Sequence, residues 1–258
     1  MSRHLRLDVA GVSDVGKVRE HNEDAWLWVE AAGLVVVADG MGGHRAGDVA
    51  ADLAVRTLAE AYHDGAPEPS RLRAILRLRA PALTRLVQVA REANQAILDH
   101  ARDRPECKGM GTTLVALELS GTQVHRVHVG DSRIYRLRGR RLAQLTQDHS
   151  LVNEYLRLGV ITPDKAERFP YKNVIVRAAG LSPNVEFDAA SEPAAAGDRY
   201  LLCSDGLTDL VGDDTIREQL GRREAPAIVA RALVDGALAA GGTDNITAVV
   251  ADVVTEDS

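Results

Sequence analysis

Two kinds of residue are scarce in this 258-residue sequence, cysteine and the aromatics. The two cysteines, Cys107 and Cys203, are too few for a disulfide framework or a cysteine-based zinc site, which predicts reduced thiols and a reducing compartment. An aromatic content of 3% leaves few surfaces on which bases or sugars could stack. The composition therefore counts against a disulfide scaffold, a carbohydrate binder and a single-strand nucleic-acid binder.

Positive charge and long apolar runs are also lacking. The formal net charge is -6 and there is no long basic run, which argues against a nucleic-acid partner held through its phosphates. No window offers the ~18 uninterrupted apolar residues of a membrane helix, and the N-terminus lacks the apolar core of a signal peptide. With 45% hydrophobic residues, we expect one domain over residues 1–258, cytoplasmic and monomeric, without a membrane or nucleic-acid partner.

Hydrophobic periodicity divides the chain into antiparallel strand groups and amphipathic helices. The predicted strands are 5–13, 26–29, 34–38, 112–119, 123–129, 132–137, 141–145, 174–176, 185–189, 199–203 and 246–254. The predicted helices are 46–62, 70–102, 151–158, one starting at 162–164, 207–210, 213–220 and 225–239. Residues 63–69 are predicted to link two helices, and the irregular stretch at about 148–180 is predicted to form a surface flap.

The first candidate site residue is Asp39, in the stretch from Leu34 to His44. Three consecutive valines predict a strand buried on both faces, with Asp39 at its exit. The glycines that follow, Gly40 first among them, let a ligand or ion approach the backbone closely. Taken alone, the stretch is better explained as a strand followed by a Gly-rich turn that starts a helix.

Further acids stand in similar places. Asp131, Asp205 and Asp244, like Asp39, lie in Gly-containing turns at the end of an apolar strand or just before one. Glu23 and Asp24 immediately precede another strand. Gathered at one sheet edge, they would repel one another unless a cation neutralised them. With oxygen ligands and no cysteine cluster, Mg²⁺ or Mn²⁺ is favoured over zinc. His125 and His128 lack clustered spacing, and we expect them to be ordinary structural residues.

Two divalent ions about 3.5–4 Å apart could clamp a phosphoryl group and activate a bridging water. Such a site also needs a cationic side chain for the remaining phosphate oxygens. Arg19, four residues before Glu23, offers a bidentate guanidinium in a plausible position.

Considered together, these motifs resemble the PP2C family of metal-dependent serine/threonine phosphatases in its bacterial form. The resemblance covers nearly the whole chain, and each motif is weak alone but the family order is specific. The residues that carry it are Ser13–Gly16, Arg19, Asn22–Asp24, Val37–His44, Gly109–Thr113, Gly130–Arg133, Asp148–Ser150, Leu202–Leu207 and Asp244–Thr247.

The resemblance implies an α+β fold, a four-layer α-β-β-α sandwich in which two antiparallel sheets are flanked by helices. It also implies two Mn²⁺ or Mg²⁺ ions, with a third held more weakly. By similarity, Asp39 bridges both metals, the Gly40 carbonyl binds one, and Asp205 and Asp244 bind the other. Further roles implied are metal-bound water at Glu23, Asp24 and Asn245, substrate phosphate at Arg19, and a third ion at Asp131 with Asp205.

One position departs from the family pattern. Animal members have a histidine directly after the Asp-Gly pair, a proposed general acid, and this sequence has Met41 there. A thioether cannot donate a proton. His44 and a metal-bound water are the candidate replacements, and the alternative role of His44 is to stabilise the turn into the next helix.

Three functions follow from this reasoning. The first is an active protein phosphatase whose partners are phosphorylated proteins, opposing a bacterial Ser/Thr kinase and acting on that kinase's substrates. The second is a pseudophosphatase that kept the fold and lost the chemistry, which the retained acids count against. The third is a hydrolase of small phosphoesters.

Overall fold

The computed structural model of the chain describes residues 4–42, 46–62, 81–166, 169, 171 and 174–256. Its strands form two antiparallel sheets with the orders β1-β11-β10-β7-β8 and β2-β3-β5-β6-β9, and β4 extends the second sheet beside β3. The strands are β1 Leu5–Asp14, β2 Asp24–Val29, β3 Leu34–Met41, β4 Gly111–Thr112, β5 Leu114–Ser120, β6 Gln123–Val129, β7 Arg133–Arg138, β8 Arg141–Gln144, β9 Asp188–Pro193, β10 Arg199–Cys203 and β11 Ile246–Thr255.

Helices cover the outer face of each sheet and complete the four predicted layers. They are α1 Ala46–Tyr62, α2 Ala82–Asp103, α3 Leu151–Arg157, α4 Pro163–Ala166, α5 Asp205–Thr208, α6 Asp213–Leu220 and α7 Pro226–Ala239, with 3₁₀ turns at Glu30–Ala32 and Pro105–Cys107. One apolar cluster joins α1 and α2 to the second sheet, and another joins α6 and α7 to the first. A third cluster lies between the two sheets. The α-β-β-α sandwich is therefore confirmed.

Strand β3 is central, as its run of valines predicts. It pairs with β2 on one side and β5 on the other. Val35 and Val37 face the core between the sheets, whereas Val36 and Ala38 face the helices, and all four are fully buried. Burial on both faces makes β3 a fixed support for Asp39.

The predicted helices agree closely with the structure where it describes them, except that the helix predicted at 207–210 lies two residues earlier, at Asp205–Thr208. Helix α1 has the predicted bounds, and α2 begins directly after Pro81, whose backbone is extended (ψ 140°). The predicted linker 63–69 and the predicted helical residues 70–80 lie outside the described residues. None of the described helices is both long and apolar enough to span a bilayer.

Three strand predictions need correction. The predicted strand 185–189 is displaced to β9, because Val185 and Phe187 cover the helix-side core instead of joining the ladder. The predicted strand 174–176 is reduced to one bridge between Ser150 and Ile175. The predicted strand 112–119 is divided into β4 and β5, so that Thr113 is free to bond the backbone of Asp39.

Candidate metal centre

Five aspartates meet at one end of the sandwich. Asp24 and Asp39 are register partners in β2 and β3, and Asp244 lies two residues before β11. The side chains of Asp24, Asp131, Asp205 and Asp244 all raise the pKa of Asp39 electrostatically. Strand ends from both sheets thus bring together acids separated by more than 200 residues in the sequence, as the Gly-containing turns predicted.

Burial is the main reason that these carboxyl groups resist ionisation. Desolvation raises the pKa of Asp24 and of Asp131 to about 7 and that of Asp205 to about 6, with neighbouring acids adding to the effect. For Asp39, burial followed by repulsion from Asp24 raises the pKa well above the ordinary value. Such a group of acids is most stable with a bound cation.

Two orphaned oxygens support this interpretation. Oδ1 of Asp24 and Oδ1 of Asp131 are buried and lack a hydrogen-bond partner among the described residues. A buried acceptor without a partner is costly, and a hard divalent cation takes oxygen ligands of this kind. The residues present therefore fit Mn²⁺ or Mg²⁺.

Hydrogen bonds hold Asp24 by its carboxylate and Asp39 by its backbone. Ser204 Oγ and Thr247 Oγ1 donate to Asp24 Oδ2 at 2.8 and 2.6 Å. Thr112 Oγ1 and the Thr113 amide both donate to the Asp39 carbonyl at 2.9 Å. These hydroxyls belong to the quoted motifs, but the sequence alone assigned them no role.

Asn245 fastens the loop that carries Arg19 and Glu23. Its Nδ2 donates to the carbonyls of Val15 and His21 at 3.0 and 2.9 Å, and its Oδ1 accepts from the Glu23 amide at 2.8 Å. Both amide hydrogens are thus used within the protein. The predicted role of Asn245 beside metal-bound water remains a prediction, and the structure adds a clamping role.

Arg19 lies at the mouth of the carboxylate group. Its Nη2 donates to Asp244 Oδ2 at 2.7 Å, and just over half of its side chain is exposed. Asp244, Glu23 and Asp39 hold the pKa of the guanidinium above its usual value. An exposed pair of this kind contributes little to stability, which leaves the guanidinium available to an anion.

The backbone at Gly40 is closely packed. Its amide donates to the Glu23 carbonyl at 3.0 Å, and an added Cβ would overlap the Gly47 carbonyl in α1. Met41 is the last residue of β3. His44 lies outside the described residues, so its predicted proton transfer stays a prediction.

His149 holds the turn that presents Asp131. Its Nδ1 accepts from the Gly130 amide at 3.1 Å, and its own amide donates to the Gly130 carbonyl at 2.9 Å. Gly130 has φ +98°, and a Cβ there would lie 2.7 Å from Thr113 Cβ. A glycine is therefore required on both steric and conformational grounds.

His128, His149 and Asp188 form a second group with metal-ligand chemistry. Their potential ligand atoms lie within 4.8 Å of one another. Because His149 Nδ1 accepts the Gly130 hydrogen, the neutral ring carries its own hydrogen on Nε2, which faces Asp188 Oδ2 at 3.5 Å. His128 Nε2 lies 3.0 Å from the Gln147 carbonyl oxygen, so each ring has a partner within the protein, and the structural role expected for His128 stays a prediction.

Replacing Asp131 with asparagine is expected to stabilise the metal-free protein at high pH. An unfolded aspartate has a pKa near 3.9, whereas the pKa of Asp131 is raised to about 7. The folded protein therefore binds this proton more tightly than the unfolded chain does. The resulting contribution to the free energy of unfolding is complete below pH 4 and is lost as the pH rises through 7. In EDTA, Asp131→Asn should gain roughly 3 kcal/mol over wild type at pH 8 and little at pH 4.

Urea unfolding of the two proteins at several pH values measures this difference. Comparing them cancels the opposite contribution of His149, whose pKa burial lowers to about 4. A stability difference that did not change with pH would contradict the buried, repelled state of Asp131.

Comparison with known proteins gives concordant matches. The family model described as "Protein phosphatase 2C" matches residues 16–244. The serine/threonine protein phosphatase PstP of Mycobacterium tuberculosis is 43% identical over 98% of the chain, which spans only 46% of that protein's length. The serine/threonine phosphatase stp of Listeria monocytogenes is 40% identical, with 93% of each chain covered. A crystal structure of the PstP catalytic domain in complex with two manganese ions is 41% identical, with a TM-score of 0.83 and coverage of 97% of this chain and 99% of that one.

Proposed function

The chain belongs to the protein phosphatase 2C family, and we propose that it removes phosphate from phosphoserine and phosphothreonine side chains of proteins with the help of two Mn²⁺ or Mg²⁺ ions. The observation that carries the proposal is the group of partly buried, mutually repelling carboxylates with Arg19 at its mouth. Relatives named as serine/threonine phosphatases support the choice of substrate.

The acids divide into proposed ligands and supporting groups. Asp39 would bridge the two ions, the Gly40 carbonyl would complete one site, and Asp205 with Asp244 would complete the other. Glu23 and Asp24 would act through ordered water, and Asp131 with Asp205 would take a third, weaker ion. When bound, such a pair of ions neutralises the phosphoryl charge and lowers the pKa of a water nucleophile.

Arg19 is proposed to bind and orient the phosphate. Its guanidinium matches two phosphate oxygens with two parallel hydrogen bonds, and Asn245 holds its loop against the Asp244 loop. Orientation of this kind lowers the entropic part of the barrier. For the leaving alkoxide, His44 and water are the proposed proton sources, because Met41 has no proton to donate.

The proposal extends to the setting of the reaction. It places the protein in the cytoplasm as a monomer that opposes a Ser/Thr kinase and acts on that kinase's substrates. Cys107 and Cys203 are buried free thiols, which suits a reducing compartment.

Phosphate release from a phosphothreonine peptide tests the proposal. Activity should require Mn²⁺ or Mg²⁺, disappear in EDTA and return when metal is restored. Full activity in EDTA would contradict the metal mechanism. Absence of Mn²⁺ binding in calorimetry would favour a pseudophosphatase, and higher kcat/KM on small metabolite phosphates than on phosphopeptides would favour a small-molecule hydrolase.

Substitution of Arg19 should weaken phosphate recognition. Arg19→Lys is expected to lower kcat/KM about 10-fold and Arg19→Ala about 100-fold, because an ammonium cannot form the bidentate contact and alanine forms none. Inhibition by inorganic phosphate should weaken in the same order. Arg56→Ala, which removes an exposed guanidinium paired with Asp52 on α1, should leave both quantities unchanged. Unaltered inhibition by phosphate in Arg19→Ala would contradict the assignment.

A further inference from the structure

Asn94 is a polar residue on an otherwise apolar face of α2. Its side chain is 3% exposed, and the other buried residues of the helix are Leu86, Val89, Ala90, Ala93 and Ile97. Asparagine stabilises a helix interior less than alanine or leucine does, and a buried amide costs free energy unless its hydrogen bonds are satisfied. Neither the helix nor the apolar core therefore accounts for an asparagine here, so its hydrogen-bond partners have to.

Both ends of the Asn94 amide bind the backbone of residues 179–182, where the chain returns from the predicted flap. Oδ1 accepts from the Gly180 amide at 2.7 Å, and Nδ2 donates to the Ser182 carbonyl at 3.0 Å. The two chains also pack closely, because a Cβ added at Gly180 would overlap the Ile97 side chain. Residues 179–182 are therefore fixed on α2 by two hydrogen bonds and by steric contact.

The same residues support a strand end of the metal centre. Ala179 and Thr112 exchange two backbone hydrogen bonds, each 2.9 Å long. Thr112 is the register partner of Gly40, and its Oγ1 donates to the Asp39 carbonyl at 2.9 Å. A side chain of α2 is thus connected, through one backbone bridge, to two of the proposed metal ligands.

We propose that Asn94 is a positioning residue for the metal centre. By fixing residues 179–182 on α2 it holds Thr112, and through Thr112 it holds the backbone of Asp39 and Gly40 in the arrangement that binds the ions. The inference rests on the proposed function and adds to it a residue outside the motifs that carry the family resemblance. Groups that orient metal ligands from behind are worth about 10–100-fold in metal affinity or activity.

Calorimetry with Mn²⁺ and kinetics on a phosphothreonine peptide test this role in Asn94→Ala and Asn94→Leu. Both variants should bind Mn²⁺ at least about fivefold more weakly, and at saturating Mn²⁺ their kcat should fall about 10-fold. KM should change less than about twofold, because Asn245 and not Asn94 fastens the loop that carries Arg19. Leucine keeps the volume of the side chain without either hydrogen bond, which covers the case in which Asn94→Ala does not fold.

Val89→Ala is the matched control, since Val89 is fully buried on the same helix. Loss of buried methyl groups should lower its thermal midpoint, while Mn²⁺ affinity and kcat of the folded protein stay at the wild-type level. A purely structural role of Asn94 would give the same result as this control.

Wild-type Mn²⁺ affinity and kcat in both Asn94 variants would overturn the inference and leave the proposed function intact. Equal losses in Val89→Ala would also overturn it, because they would trace to a general loss of stability. If the wild-type protein bound Mn²⁺ but hydrolysed no phosphopeptide, the proposed function would fail, and the Mn²⁺ affinities of the variants would still decide the role of Asn94.

Discussion

Asp39→Asn is expected to lower kcat on a phosphothreonine peptide about 1,000-fold. Asp39 stands at the middle of the acids of the centre, because the other four aspartates all raise its pKa. An amide in its place has the same shape but brings no negative charge and a weaker oxygen ligand for a divalent cation. The loss should appear in kcat and in Mn²⁺ affinity together.

The same substitution should make the metal-free protein more stable. Burial and repulsion raise the pKa of Asp39, so that its ionised form is disfavoured in the fold at neutral pH, and a neutral amide removes this cost. In EDTA at pH 7.5 the thermal midpoint of Asp39→Asn should exceed that of wild type by several degrees. Mn²⁺ should raise the midpoint of wild type much more than that of the variant.

Asp235→Asn serves as the matched control, since this exposed acid on α7 pairs only weakly with Arg231. It should change neither activity nor the effect of Mn²⁺ on the midpoint. If Asp39→Asn proved inactive but less stable than wild type, the loss of activity would be attributable to misfolding, and the assignment of Asp39 would lose its support.

Local sequence pattern was enough to predict the supports of this centre. The valines before Asp39 identified a strand buried on both faces, because burial is recorded in the sequence as an unbroken apolar run. Asp131, Asp205 and Asp244 could be expected to converge because each adjoins an apolar strand within a glycine-containing turn. The structure brings them together as that reasoning required.

Pairings between distant residues could not be predicted in the same way. The contact of Asn245 with Glu23 joins residues 222 positions apart, and an asparagine in a turn is explained equally well by local turn chemistry. Val185 and Phe187 alternate like strand residues but pack on the helix-side core from a loop. Periodicity records which residues are buried and does not record which surface buries them.

Gly40→Ala is expected to damage the centre through sterics alone. An added Cβ would overlap the carbonyl group of Gly47 at the start of α1 and would lie 2.7 Å from the Glu23 carbonyl oxygen. Both neighbours are backbone, which cannot rotate away as a side chain could. We expect a loss of about 3 kcal/mol in unfolding free energy and about 100-fold in kcat/KM, because a shift near 1 Å would displace Asp39.

Gly121→Ala separates this steric effect from the ordinary cost of replacing a glycine. Gly121 has φ +59° and open space around its Cβ position, so alanine there should cost about 1 kcal/mol through backbone strain and should leave kcat/KM unchanged. Urea unfolding and phosphopeptide kinetics on both variants give the comparison. If Gly40→Ala retained wild-type kinetics, the close approach of β3, α1 and the Glu23 loop would not be what positions Asp39, and the rigidity inferred for the centre would have to come from the hydroxyls of Thr112 and Thr113 instead.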